Sequence, residues 1–188
     1  AIQRLIKTIT TDGTGKNYLV QHSAGSGKSN TITWLAYRLS NFFQKFTDEK
    51  ALYDSVIIVT DRRVLNKQIQ ENIRQIDDRP GVVAYIDETN TSQDLKDAIE
   101  HKKRIIVTTL QKFPIISDTV GRYPDRKYAI IIDEAHSSQS GEAAGKMRAA
   151  LSLDDNEELE ELDDIIADKI KRKGQQPNIS QFAFTATP

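Results

Sequence analysis

The stretch VQHSAGSGKSN, residues 20–30, carries the strongest fold signal in the chain. A short apolar run at 18–21 leads into a glycine- and serine-rich turn, and a helical pattern follows. In such a segment backbone N–H groups bind phosphates, a lysine contacts the β and γ phosphates, and a Ser or Thr hydroxyl binds Mg²⁺. The residues predicted to form this phosphate-binding loop are Gly25, Ser26, Gly27, Lys28 and Ser29.

One position departs from the strict phosphate-loop pattern, G-x-x-x-x-G-K-[ST]. That pattern requires a glycine at position 22, where this chain has His22. The shorter core GSGKS leaves a plain flexible loop open as an alternative. A similar string upstream, DGTGK at 12–16, precedes a strand and is followed by Asn17, which has no hydroxyl for Mg²⁺. We predict a surface turn there.

Composition limits the class of protein. The 188 residues carry a formal net charge of −1, so nucleic-acid binding would depend on local basic patches. The chain has no cysteine, which excludes disulfides and thiolate metal sites and fits a cytoplasmic location. No apolar run approaches the ~18 residues of a membrane-spanning helix, so no membrane association is expected.

Strand and helix patterns alternate along the chain. Apolar, β-branched runs predict strands at 18–21, 55–60, 82–86, 104–108, 127–132 and 179–185. Helical spacing predicts helices from residue 2 and at 29–46, 64–76, 92–100, 142–151 and 157–172, with Ser92 as an N-cap. The alternation predicts an α/β fold, a parallel sheet with helices on both faces, whose ligands bind at the carboxyl ends of the strands.

A second candidate segment, DEAH at 133–136, follows an apolar strand. Nucleoside triphosphate hydrolysis needs a carboxylate on the metal side and a group that positions the attacking water. Asp133 could hold Mg²⁺ through water, and Glu134 could orient or deprotonate the attacking water. The alternative is a helix start with acidic residues in its first turn. We prefer the catalytic interpretation because GSGKS, at another strand end, supplies the other half of one site.

Together, GSGKS, DEAH and TATP (185–188) resemble the first RecA-like domain of superfamily 2 helicases and translocases, a P-loop NTPase fold, over nearly the whole chain. Three segments are similar to the motor domain of the type I restriction enzyme R subunit: VIIVTDRRVLNKQI (56–69), IIVTTLQKF (105–113) and DEAHSSQSG (133–141). That family often has Arg after the DEAH histidine, where this chain has Ser137.

The resemblance implies ATP and Mg²⁺ as cofactors. The implied catalytic residues are Lys28, Asp133 and Glu134, and the implied metal ligands are Ser29 and Asp133. The implied residues that couple the ATP site to DNA movement are His136, Gln139, Thr185 and Thr187. The implied DNA contacts are Arg62, Arg63, Thr109, Gln111 and Lys112. The basic residues among these contacts could instead solvate a helix start or pair with carboxylates.

As a whole, the resemblance implies an ATP-dependent translocase on double-stranded DNA. Its implied partners are a second RecA-like domain and a nuclease domain of the same parent chain, with the modification and specificity subunits of a restriction complex. Residues 1–188 are then expected to be a single RecA-like domain excised from a longer chain, weakly active alone. An acidic helical insertion is predicted at 153–176, between DEAH and TATP.

Two other functions stay open at this stage. One is an RNA or DNA strand-separating helicase of the same superfamily, against which DRRVLNKQ and TTLQKF argue by resemblance. The other is an ATP-gated binding switch without sustained turnover. Glu134 argues against the switch, because a switch does not need a carboxylate that activates water.

The role given to Glu134 predicts a separation of binding from turnover. In the complete parent protein, Glu134→Gln should abolish ATP hydrolysis and leave ATP binding intact, because the amide cannot activate water but keeps the shape of the side chain. Binding and hydrolysis would be measured on the same preparation. Unchanged turnover would refute the assigned role.

Overall fold

A computed structural model describes residues 2–22, 27–45, 48–60, 63–76, 81–87, 89–133 and 177–186. Within these ranges six strands form one parallel sheet in the order β1-β6-β5-β2-β4-β3. The strands are β1 (Asn17–His22), β2 (Ser55–Thr60), β3 (Val83–Tyr85), β4 (Ile105–Thr109), β5 (Tyr128–Ile132) and β6 (Ile179–Ala186). The helices are α1 (Ile2–Asp12), α2 (Lys28–Ser40), α3 (Arg63–Ile76), α4 (Ser92–Glu100) and α5 (Phe113–Gly121), and a 3₁₀ turn covers Leu110–Lys112.

Helices cover both faces of this sheet, each through its own apolar core. On one face Ile9 of α1, Leu35 of α2 and Ile69 of α3 are fully buried. On the other face Leu95 of α4 and Ile116 of α5 are fully buried. Strands β2, β4 and β5 are buried along their whole length, which explains their continuous apolar sequences. The predicted α/β arrangement is confirmed.

One predicted helix end, that of α2, and one predicted N-cap, that of α4, were wrong, whereas the predicted range of α4 was right. Helix α2 ends at Ser40, not at residue 46, because the Asn41 side chain donates to the Tyr37 carbonyl oxygen at 3.1 Å and its backbone N–H donates to that of Leu39. These bonds satisfy carbonyl groups of the last turn and allow the chain to leave the helix.

The N-cap of α4 is Thr91, not Ser92. The Thr91 hydroxyl accepts from the Asp94 N–H at 3.2 Å, in a reciprocal capping box.

Helix α5 and the 3₁₀ turn before it were not predicted from the sequence. Proline lies in the first turn of α5, where a missing N–H costs nothing. Ile116 and Val120 are buried at a four-residue spacing, and this was the helical signal available in the sequence. The predicted helices at 142–151 and 157–172, and the acidic insertion at 153–176, lie outside the described residues.

The DGTGK segment forms a turn, as predicted, but it is packed against the protein. It lies at the amino end of β1, whereas Lys28 and Asp133 follow the carboxyl ends of strands. The Thr14 hydroxyl donates to the Pro177 carbonyl oxygen at 2.7 Å, and the Gly15 N–H donates to Ser180 Oγ at 3.1 Å. The turn therefore holds β1 to the segment that enters β6. None of the described helices has the length and apolar character to cross a membrane.

A pair of glycine substitutions tests this packing. Gly15 and Gly81 both have a positive φ, of 84° and 82°. A Cβ on Gly15 would lie 2.8 Å from Pro177 Cα, whereas the nearest described atom to one on Gly81 would be the Lys103 amine, at an ordinary contact distance of 3.6 Å. In both alanine variants the left-handed backbone should lower the free energy of unfolding by roughly 1–2 kcal/mol. In Gly15→Ala the clash with the Pro177 backbone should lower the free energy of unfolding by about 1–3 kcal/mol more. Urea unfolding measures both, and equal losses would contradict the packed turn.

Candidate nucleotide-binding site

The carboxyl ends of β1, β6 and β5 lie side by side at one edge of the sheet. β6 pairs with β1 up to His22 opposite Ala186, and with β5 up to Ile132 opposite Ala183. Gly27 and α2 follow β1, and Asp133 follows β5. The sheet therefore brings together the described parts of three motifs that are far apart in the sequence.

Gly27 is the N-cap of α2 and has the left-handed conformation, with φ 83° and ψ 33°. A Cβ at this position would meet no atom of the described residues within 4 Å, and the positive φ itself favours glycine. The conformation directs the chain into α2, whose first residue is Lys28. Free N–H groups at a helix start, together with the helix dipole, favour an anion such as phosphate.

Lys28 and Asp133 form an ion pair in this site. Lys28 Nζ lies 3.1 Å from Asp133 Oδ1, and the two side chains are 14% and 1% exposed. The Asp133 N–H donates to the Val59 carbonyl oxygen of β2 at 2.9 Å, which fixes the residue to the sheet. A carboxylate buried this deeply needs a nearby positive charge, because its desolvation is costly. Two of the three predicted catalytic residues are therefore in direct contact.

The described residues fit a nucleotide with Mg²⁺. Ser29 lies in the first turn of α2, half-buried and next to Lys28. Its hydroxyl and the Asp133 carboxylate are oxygen ligands of the kind that Mg²⁺ prefers. Lys28 and the start of α2 supply the positive charge that phosphates require.

One contact in this region was not predicted from the sequence. His22 Nε2 lies 3.0 Å from the Thr31 hydroxyl, across the connection between β1 and α2. His22 is the residue that broke the strict phosphate-loop pattern, and that departure was the available signal. Thr185, a predicted coupling residue, is buried near the end of β6 and pairs in register with Gln21.

The predicted DNA contacts at the end of β4 lie farther along the same edge. β2 separates β4 from β5 in the sheet. Thr109 is 3% exposed, and its hydroxyl has no hydrogen-bond partner within the described part of the chain. Gln111 is exposed. Their contact with DNA stays a prediction.

Lys112 has a structural contact of its own. Its amine donates to the Asn90 carbonyl oxygen at 2.6 Å, in the loop before α4. Hydrogen bonds from Thr89 lower the pKa of Asp87, those from Thr91 lower the pKa of Asp94, and the Lys112 charge contributes to both shifts. Lys112 thus lies near two carboxylates and holds this loop, and a role in DNA binding stays a prediction for it too.

The remaining predicted site residues lie wholly or partly outside the described part of the chain. Those outside the described residues are Gly25, Ser26, Arg62, Glu134, His136, Gln139 and Thr187. Arg63 is the first residue of α3, and its side chain also lies outside the described part.

Comparisons with known proteins find an ATPase family and relatives among the type I restriction enzymes. The family model of the SWI2/SNF2 ATPases matches residues 1–155. The chain is 31% identical over 147 residues to the type I restriction enzyme SauCOLORF180P endonuclease subunit of Staphylococcus aureus (strain COL), covering 76% of this chain and 14% of that protein. It is 30% identical over 196 residues to the putative type I restriction enzyme MjaIXP endonuclease subunit of Methanocaldococcus jannaschii, covering 100% of this chain and 15% of the relative. The chain thus spans a small part of the relatives that it matches.

Solved structures show the same fold. The Hef helicase domain of Pyrococcus furiosus has a TM-score of 0.53 at 21% identity, covering 98% of this chain and 32% of that chain. The NS3-like helicase from Alongshan virus has a TM-score of 0.53 at 16% identity, and the match covers 92% of this chain and 34% of that chain. At these identities the likeness concerns the fold alone, and it confirms the predicted RecA-like domain.

The ion pair predicts non-additive effects on stability. Without nucleotide, Lys28→Met should lower the free energy of unfolding by about 1–3 kcal/mol, because it leaves the buried Asp133 carboxylate without this counter-charge. Adding Asp133→Asn should recover part of that loss, since the buried charge is then removed. Urea unfolding of the two single variants and the double variant measures the coupling. Strictly additive losses would argue against the 3.1 Å contact.

Proposed function

The chain belongs to the SWI2/SNF2 ATPase family, and we propose that it is the ATP-binding and ATP-hydrolysing domain of a double-stranded DNA translocase of the type I restriction class. The observation that carries the proposal is the contact between Lys28 and Asp133 at 3.1 Å. It joins the phosphate side and the metal side of an ATP site. The similarity to type I restriction endonuclease subunits supports DNA as the substrate of movement.

In the proposed mechanism each residue of the site has one task. The first turn of α2 and Lys28 bind the phosphates, and Gly27 provides the turn into that helix. Ser29 and Asp133 would hold Mg²⁺, which when bound neutralises negative charge on the phosphate oxygens. Glu134 follows Asp133 in sequence and orients or deprotonates the attacking water.

Nucleotide binding then exchanges one ion pair for two. In the described state Lys28 compensates the buried Asp133 carboxylate. On nucleotide binding, Lys28 would turn to a phosphate of ATP, and Mg²⁺ held by Ser29 and Asp133 would take its place beside the Asp133 carboxylate. The exchange would avoid the cost of a bare buried charge.

Movement along DNA needs more than this domain. We assign to a second RecA-like domain of the parent chain the arginine that stabilises transition-state charge. We assign cutting to a nuclease domain of that chain and sequence recognition to the modification and specificity subunits. His136, Gln139, Thr185 and Thr187 are the proposed coupling residues. Arg62, Arg63, Thr109, Gln111 and Lys112 are the proposed contacts to the DNA backbone, which carry little base readout.

The test is ATP hydrolysis by the complete parent polypeptide with its partner subunits. Duplex DNA should stimulate hydrolysis, and Lys28→Ala should reduce the stimulated rate by roughly a hundredfold or more, because it removes a charge aimed at the reacting phosphate. Lys16→Ala is the matched control: it alters the lysine of the DGTGK turn at the opposite edge of the sheet, and the rate should not change.

Three other outcomes of this assay would contradict the proposal. Stimulation by RNA or single-stranded DNA alone would replace the translocase with a strand-separating helicase. Tight ATP binding with no stimulated turnover would indicate an ATP-gated switch. Equal losses in Lys28→Ala and Lys16→Ala would contradict the assignment of the site.

A further inference from the structure

His22 occupies the place where the strict phosphate-loop pattern has glycine, and its backbone does not need one. It is the last residue of β1 and pairs in register with Ala186 of β6. Among the described non-glycine residues, a positive φ occurs at Lys102 and not at His22. The side chain at position 22 is therefore free to serve a purpose that glycine cannot serve.

That side chain contacts the first turn of α2. His22 Nε2 lies 3.0 Å from Thr31 Oγ1, and Thr31 Oγ1 lies 3.3 Å from the Gly27 carbonyl oxygen. A hydroxyl has one hydrogen to donate. Both contacts are made when Nε2–H donates to the Thr31 hydroxyl and that hydroxyl donates to Gly27. A chain of two hydrogen bonds then joins the end of β1 to the N-cap of α2.

The first turn of α2 depends on such polar contacts. The buried residues of α2 begin at Ile32, so the turn at 28–31 has no fully buried side chain to anchor it. On the side of α3, the Asn72 amide donates to the Asn30 side-chain oxygen at 2.9 Å. On the side of β1, the contact is the one from His22 to Thr31. The helix start is thus held from two sides by side-chain hydrogen bonds, in addition to the ion pair of Lys28 with Asp133.

We propose that His22 is a positioning residue for ATP: through Thr31 it fixes Gly27 and the start of α2 relative to the end of β1. This role rests on the proposed function. Phosphate binding by preset N–H groups and a lysine depends on their placement before the ligand arrives. Without the His22 contact, the helix start can shift relative to β1, and ATP binding must restore its position at a cost in affinity.

The sharpest test makes the sequence match the strict motif. His22→Gly creates G-x-x-x-x-G-K-S, yet it should raise the Kd and the KM for ATP roughly three- to tenfold, the effect of one lost hydrogen bond. His22→Ala and Thr31→Val should do the same, and kcat at saturating ATP should change less than KM. Thr31→Ser keeps the hydroxyl and should restore affinity. The double variant His22→Ala/Thr31→Val should be no weaker than either single variant, because both remove one shared contact.

These measurements use the complete parent protein, with Kd from direct ATP titration. His101→Ala is the matched control, since His101 contacts the Asp97 carbonyl oxygen at the end of α4, away from the site. If His22 variants do not fold, Thr31→Val against Thr31→Ser decides the question alone. If the wild type binds ATP and the His22 and Thr31→Val variants bind it equally well, the positioning role is refuted and the proposed function stands. Wild-type protein that binds no ATP overturns the proposed function and this role with it.

Discussion

The site depends on the insertion of β6 between β1 and β5. β6 comes last among the described strands, yet it pairs with both neighbours, from Asn17 opposite Gln181 on one side and from Tyr128 opposite Ile179 on the other. Phe182 and Phe184 of β6 are fully buried, and the Phe182 ring stacks on that of Tyr18 at 4.9 Å. This pairing sets the distance between the segment after β1 and the segment after β5. Lys28 and Asp133 can meet only because β6 holds those two strands in place.

Charge compensation is the second constraint. Asp133 lies at the end of a strand that is buried on both faces, so its carboxylate cannot rely on water. Lys28 supplies the opposite charge from the start of α2, and a helix start is itself favourable for an anion. The carboxylate and the lysine that compensate each other here are the groups that binding a phosphate and its metal would use.

The parts of the fold that local sequence determines were predicted well. Strand β2 was predicted at its observed bounds, because a run buried on both faces is continuously apolar. Gly27, Lys28 and Asp133 were predicted to share one site because the segments that hold them, GSGKS and DEAH, each come after a strand of a parallel sheet. The predicted end of α2 was wrong, since the hydrogen bonds of Asn41 end the helix although the apolar pattern continues beyond it. The contacts from His22 to Thr31 and from Lys112 to Asn90 depend on how distant segments approach, which spacing in the sequence does not encode.

The most direct measurement is ATP titration of the protein by calorimetry, with and without Mg²⁺, in wild type and in Asp133→Asn. We expect Mg²⁺ to lower the Kd for ATP in the wild type. In Asp133→Asn this effect of Mg²⁺ should disappear, because the amide is a poorer metal ligand than the carboxylate. ATP binding with the same Mg²⁺ dependence in both proteins would contradict a site in which Lys28 and Asp133 serve the two sides of one nucleotide.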